Sequence, residues 1–160
     1  MNPASNTEIH YDPAILKYKR ILLVEDNALN ICVANTILNR YGALVFIAFN
    51  GLQAVEALKT NAYDLVLMDV QMPVMDGHEA TRIIRGELAQ EIPIIALTAD
   101  VSKGDKELCL SAGMNDYVPK PFEEVHLITR IAHWLGKMIP ASVKIMPTVN
   151  ETIQKCYNHV

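Results

Sequence analysis

The chain has 160 residues, 51% of them apolar, enough for one continuous core in a unit about one domain long. Its 14 Lys and Arg against 18 Asp and Glu leave a formal charge of -4 with no basic stripe, so direct nucleic-acid binding has no electrostatic footprint. No apolar run approaches the roughly 20 residues of a membrane span, and residues 1–19 lack the apolar centre of a signal peptide, so a cytoplasmic protein without membrane insertion is expected.

Residues 1–19, with Pro3 and Pro13, read as an N-terminal extension or linker. A strand is predicted over Arg20 to Val24, followed by a helix near Asn27 to Tyr41 with Val33, Ile37 and Leu38 on one face. Gly42 supplies the left-handed stop. A second strand, Leu44 to Ala48, leads to a helix over Gly51 to Thr60, and Tyr63-Asp64 precedes a third strand from Leu65 to Met68. Pro73 and Gly77 interrupt the chain before a helix over Gly77 to Arg85. The fourth strand, Ile92 to Leu97, begins at a proline-tolerant position, Pro93. A helix over Lys103 to Ser111 ends before Gly113, the fifth strand covers Asp116 to Val118, and the last helix runs from Glu123 to Leu135. In that helix Val125, Ile128, Ile131, Ala132 and Leu135 are expected to face the core, with Trp134 packed beside them. Residues 138–160, with Pro140 and Pro147, read as a C-terminal extension in which Asn150 to Tyr157 has the pattern of a short helix.

Strands alternating with helices build a parallel sheet through right-handed crossovers, here within a module spanning 20–137. The cysteines, Cys32, Cys109 and Cys156, lie far apart without metal-ligand spacing, and separate thiols in a reducing compartment are expected. His10, His78, His126, His133 and His159 are scattered and read as surface or partly buried residues.

Chemistry gathers where the strands stop. Ile21-Leu22-Leu23-Val24 runs into Glu25-Asp26, and Leu65-Val66-Leu67-Met68 runs into Asp69. Open α/β folds place ligands at such strand ends, and if the two strands are neighbours the three carboxylates must share a cation. Oxygen-only ligands suit magnesium, with Asp26 and Asp69 in that role, Glu25 acting directly or through water and the Gln71 carbonyl close behind Asp69. Asp69 is then placed to act as a carboxylate nucleophile toward a phosphoryl group. Thr98 and Lys120, which follow the fourth and fifth strands, bring a hydroxyl and an ammonium to the same rim for the phosphate. Singly, an Asp after a strand is a turn former and a Lys before Pro is a solvated loop residue. Together at four strand ends they point to a phosphate site.

The segments Leu22-Leu23-Val24-Glu25-Asp26-Asn27, Leu67-Met68-Asp69-Val70-Gln71-Met72-Pro73-Val74-Met75-Asp76-Gly77, Thr98-Ala99 and Lys120-Pro121-Phe122 resemble, in order, the motifs of the response-regulator receiver domain, across about Arg20 to Lys137. The Glu-Asp-Asn and Met-Pro-Val-Met-Asp-Gly wording is most similar to receivers fused to hybrid histidine kinases. The resemblance implies a flavodoxin-like five-stranded parallel sheet of order 2-1-3-4-5 with five helices on its two faces. It implies a signalling phosphoacceptor rather than an enzyme in the usual sense. Asp69 receives a phosphoryl group from a histidine kinase or histidine phosphotransfer protein, with Mg2+ held by Glu25, Asp26, Asp69 and Gln71, and Thr98 and Lys120 contacting the phosphate. Thr98 and Tyr117 are the implied switch pair, remodelling a face that meets a downstream protein target, and Lys120-Pro121 is expected to be cis. Leu29 and Cys32 are read either as a docking patch for a phosphotransfer helix or as core. Val70 follows Asp69 where an aromatic would report metal binding, and Gln71 lies where a side chain influences water attack.

Other classes fit less well. Aspartyl-phosphate phosphatases of the haloacid-dehalogenase type want a second Asp where Gln71 stands, and a flavodoxin wants Ser, Thr and Gly where Glu25-Asp26-Asn27 stands. A receiver-like module that is never phosphorylated remains the alternative, set against the retention of every reactive residue. The segment beyond the module is too short and weakly patterned for a DNA-binding output, so the expected effect is on another protein.

Overall fold

The computed structural model describes residues 14–136 and Cys156. Five strands, β1 (Arg20–Val24), β2 (Leu44–Ala48), β3 (Leu65–Asp69), β4 (Ile94–Thr98) and β5 (Asp116–Pro119), alternate with α1 (Ala28–Arg40), α2 (Gly51–Thr60), α3 (Gly77–Gly86), α4 (Lys103–Ala112) and α5 (Glu124–Trp134). All pairings are parallel and the order is β2-β1-β3-β4-β5, the predicted arrangement. Leu23 of β1 stands beside Leu67 of β3, and Val24 beside Met68. The two acidic strand ends are therefore neighbours.

β3 and β4 are buried throughout because helices cover both faces, and alternate residues feed two cores. Ile21, Leu23, Leu65, Leu67, Ile95 and Leu97 pack with Val33, Ile37 and Leu38 of α1 and Leu127, Ile128 and Ile131 of α5. On the opposite face, Leu22, Val24, Val66, Met68, Ile94 and Ala96 meet Val55 and Leu58 of α2, Ala80 and Ile84 of α3 and Cys109 of α4.

Helix starts are set by side-chain caps: Asn27 accepts from the Leu29 and Asn30 N–H groups, Asn50 from Gln53, Asp76 from Glu79 and Ser102 from Asp105. Gly42 and Gly113 adopt the expected left-handed conformation, with φ of 84° and 102°. Strand β4 begins at Ile94 rather than Ile92, since the Pro93 carbonyl accepts from Val66 while Pro93 has no N–H of its own to give the ladder.

Two expectations about side chains are corrected. Val125 is exposed; the buried stripe of α5 is Glu124, Leu127, Ile128, Ile131 and Ala132, a neighbouring rotation of the same helical period. Cys32 and Cys156 are not separate thiols but form a disulfide, while Cys109 is free and buried. Ahead of β1, Leu16 is fully buried and its N–H donates to the Tyr41 carbonyl, so residues near it pack on the end of α1. The predicted helix over Asn150 to Tyr157 lies outside the described residues except for Cys156, which is helical and buried. No helix among the described residues is long and apolar enough to cross a membrane.

Candidate phosphoryl-acceptor site

Because the strands are parallel, their carboxyl ends share one rim. The residues after β1 and β3 and at the ends of β4 and β5 line a single cleft of about 180 Å³, which includes Glu25, Asp26, Asp69, Gln71, Thr98 and Lys120. Carboxylate oxygens of Glu25, Asp26 and Asp69 lie within 4.8 Å of one another. Glu25 and Asp69 are buried and Asp26 is exposed. Lys120 Nζ stands 2.8 Å from Glu25 Oε2 and 2.9 Å from Asp69 Oδ1, and the Lys120-Pro121 peptide is cis, as expected.

The electrostatics of this rim are only partly compensated. Burial, with the Glu25 charge nearby, raises the Asp69 carboxyl from 3.8 to about 6 despite the opposing Lys120 and the Gln71 N–H. The two carboxylates in turn hold the Lys120 ammonium above its ordinary value, outweighing its burial. Glu25 Oε1 accepts from the Asn27 N–H, but buried Glu25 Oε2 has no directed hydrogen bond and faces Lys120 as an ion pair. Such an oxygen, beside two other carboxylates, fits a hard divalent cation.

The remaining predicted residues occupy the rim in distinct ways. The Gln71 N–H donates to Asp69 Oδ1 at 3.3 Å, while its side chain is exposed. Thr98 is buried, and its hydroxyl donates to the Asp100 carbonyl at 2.8 Å rather than reaching toward Asp69. Tyr117 is half-buried beneath the Lys106 ammonium, 4.7 Å from the ring centre. Leu29 and Cys32 are partly buried against the α1 core.

Two backbone features between β3 and α3 escaped the sequence reading. A Cβ on Gly77 would lie 2.2 Å from the Asp69 carbonyl oxygen, so only glycine lets the start of α3 seat against the Asp69 backbone. Its position as the first residue of a capped helix was the available signal. Val74, in the connecting loop, has φ of 72° and is spanned by a Met75 N–H to Pro73 carbonyl bond, a strained turn for a β-branched residue.

The model of the response regulator receiver domain matches residues 21–132. The chain belongs to that family. Its members are the phosphoaccepting modules of two-component signalling. Among curated relatives, Probable histidine kinase 5 of Oryza sativa subsp. japonica is 42% identical over 144 residues, covering 76% of this chain but 12% of the relative. The chain thus spans about an eighth of that protein. A solved receiver domain of the sensor histidine kinase PA1611 from Pseudomonas aeruginosa PAO1, with magnesium coordinated in its active-site cleft, is 46% identical with a TM-score of 0.68, covering 75% of this chain and 99% of that one. The Saccharomyces cerevisiae Ssk1 receiver, solved together with the phosphotransfer protein Ypd1, is 32% identical with a TM-score of 0.71, covering 79% and 96% of the two chains.

Proposed function

We propose that Asp69 of this receiver accepts a phosphoryl group from a phosphohistidine, carried by a histidine kinase or a histidine phosphotransfer protein. The observation that carries the reading is the Lys120 ammonium held between Glu25 and Asp69 within a three-carboxylate cluster. As the Asp69 oxygen forms its bond to phosphorus, the nitrogen–phosphorus bond of the donor breaks and its electron pair returns to the imidazole. Lys120 is already at the nucleophile and neutralises charge on the transferred group, and Thr98 leaves the Asp100 carbonyl to donate to the new phosphate.

Glu25, Asp26, Asp69 and the Gln71 carbonyl are the residues that would hold Mg2+, consistent with the all-oxygen donor set and with three carboxylates that share the one ammonium of Lys120. The ion, when bound, supplies charge neutralisation for the phosphoryl oxygens. Movement of Thr98 and inward rotation of Tyr117 then alter the α4–β5–α5 face, through which a downstream protein is engaged. The acidic charge balance supports a protein rather than a nucleic-acid target, and the use of ATP-derived phosphohistidine supports a cytoplasmic location.

The test is intact-mass measurement after incubation with magnesium and acetyl phosphate. Wild type is expected to gain the mass of one phosphoryl group and Asp69→Ala none; absence of an Asp69-dependent adduct would leave the reading of an unphosphorylated interaction module.

A further inference from the structure

The disulfide joins positions 124 residues apart, and its placement relative to the acidic cleft gives it a consequence beyond cross-linking. Asn27 caps α1 and Asn30 lines the cleft; Cys32 follows two residues later, about 3 Å further along the helix axis. Cys156 is 1% exposed and belongs to the core cluster against which Leu29, Ile31 and Cys32 are packed. A residue from far along the chain is thus fixed to the half of α1 that borders Asp69. A donor protein delivering phosphohistidine to that cleft must lay its own surface over the first turns of α1, because Asn27 and Asn30 form the wall on that side.

Phosphohistidine donors are charged from ATP, in a compartment where disulfides in most proteins are transient or redox-sensing rather than permanent. We propose that Cys32–Cys156 is a thiol–disulfide switch that sets how readily a phosphohistidine-bearing protein docks on α1, an inference that rests on the phosphoacceptor reading above. Oxidised, the bond keeps Cys156 on α1 and narrows the docking surface. Reduced, it frees Cys32 and no longer ties Cys156 to the helix the donor must cover. Glutathione thiolate attacks the half-buried Cys32 sulfur, the sulfur–sulfur bond breaks with its electron pair passing to Cys156, and a second glutathione resolves the mixed disulfide. Two glutathiones become one glutathione disulfide as the protein gains two hydrogens. Oxidised glutathione drives the reverse exchange.

The experiment uses the full chain in two redox states. Native protein in millimolar reduced glutathione is expected to gain the mass of two hydrogens, and neither Cys32→Ser nor Cys156→Ser to show this change. Phosphorylation is then followed from two donors, acetyl phosphate and the phosphohistidine form of yeast Ypd1. Acetyl phosphate is small enough to enter without docking, so its rate should not depend on redox state. Transfer from Ypd1 should be about tenfold slower in the oxidised chain, the effect of losing one good interface contact. Cys156→Ser should transfer at the fast rate in either buffer, with acetyl phosphate reporting that its site is intact. A bond that survives reduced glutathione, redox dependence shared equally by both donors, equal Ypd1 transfer in the two states, or none in the reduced state would overturn the switch. No Asp69 adduct from acetyl phosphate in either state would instead overturn the phosphoacceptor reading.

Discussion

Two buried acidic sites in this domain solve the same problem in opposite ways. Glu124, at the start of α5, is 2% exposed and accepts hydrogen bonds from Arg40 Nη1 at 2.9 and 2.8 Å and from the Tyr41 hydroxyl at 2.9 Å. At the rim, Glu25 and Asp69 share the single ammonium of Lys120 while Asp26 adds a third negative charge beside them. The first carboxylate has the partners it needs and fastens α1 to α5. The second group is left short of positive charge, with a buried Glu25 oxygen that only the shared Lys120 faces and an Asp69 carboxyl that is pushed up to about 6. Burial alone therefore does not separate the two sites; the degree of charge compensation does.

Substituting the cation at the rim should give the largest effect. Lys120→Met leaves two buried carboxylates facing one another, and the loss in unfolding free energy at pH 8 in chelator is expected to be about 3–5 kcal/mol. Urea titrations with and without magnesium would check this, since added metal should restore much of the loss. A Lys120→Met chain as stable as wild type in chelator would mean that the rim is compensated by something else. Glu124→Gln is the matched change at the other site: it should cost about 1.5–3 kcal/mol, the worth of hydrogen bonds to a charged group. That cost should be indifferent to magnesium. A magnesium-dependent Glu124→Gln loss would erase the distinction between the two sites.

The rim was far more legible in the sequence than the clasp at Glu124, for a physical reason. Apolar runs that end in acid declare both a strand buried on two faces and the place where it stops, so Glu25, Asp26 and Asp69 could be read directly. Their convergence could not, because it depends on β1 lying beside β3, which the periodicity of neither strand encodes. The family resemblance supplied that adjacency. Glu124 was hidden by a helical-phase ambiguity: Val125, Ile128 and Ile131 make as good a stripe as Glu124, Leu127, Ile128 and Ile131, and a stripe with valine at its head looks the more plausible. The Cys32–Cys156 pair was hidden more completely, since spacing carries no information about which thiols a fold brings together. Gly77 shows the intermediate case, legible as a break but silent on the close contact with Asp69 that requires it.

The rim should also respond to pH. A carboxyl raised from 3.8 to about 6 by folding binds its proton more tightly in the native state, so its contribution to stability is complete below about pH 4 and lost as the pH rises through 6. Asp69→Asn removes that loss. In chelator the variant should match wild type near pH 4 and exceed it at pH 7 by on the order of 1–3 kcal/mol, the linkage value of a shift of this size. Parallel stability curves for the two chains between pH 4 and 7 would show that Asp69 titrates at its ordinary value.

The smallest expected effect isolates the exposed member of the cluster. On the proposed reading magnesium is held by the folded rim and not by the dispersed carboxylates of the unfolded chain, so a concentration ten times Kd should stabilise wild type by about 1.4 kcal/mol. For a domain of this size that is a rise in Tm of about 4–6 °C. Asp26 is exposed and has no part in the Lys120 ion pairs, so Asp26→Asn should leave the Tm in chelator nearly unchanged while reducing the magnesium-dependent rise. Glu124→Gln should start from a lower Tm and keep the full rise. A wild-type Tm indifferent to magnesium would remove the metal from the site, and an undiminished rise in Asp26→Asn would confine its ligands to the buried carboxylates, Glu25 and Asp69.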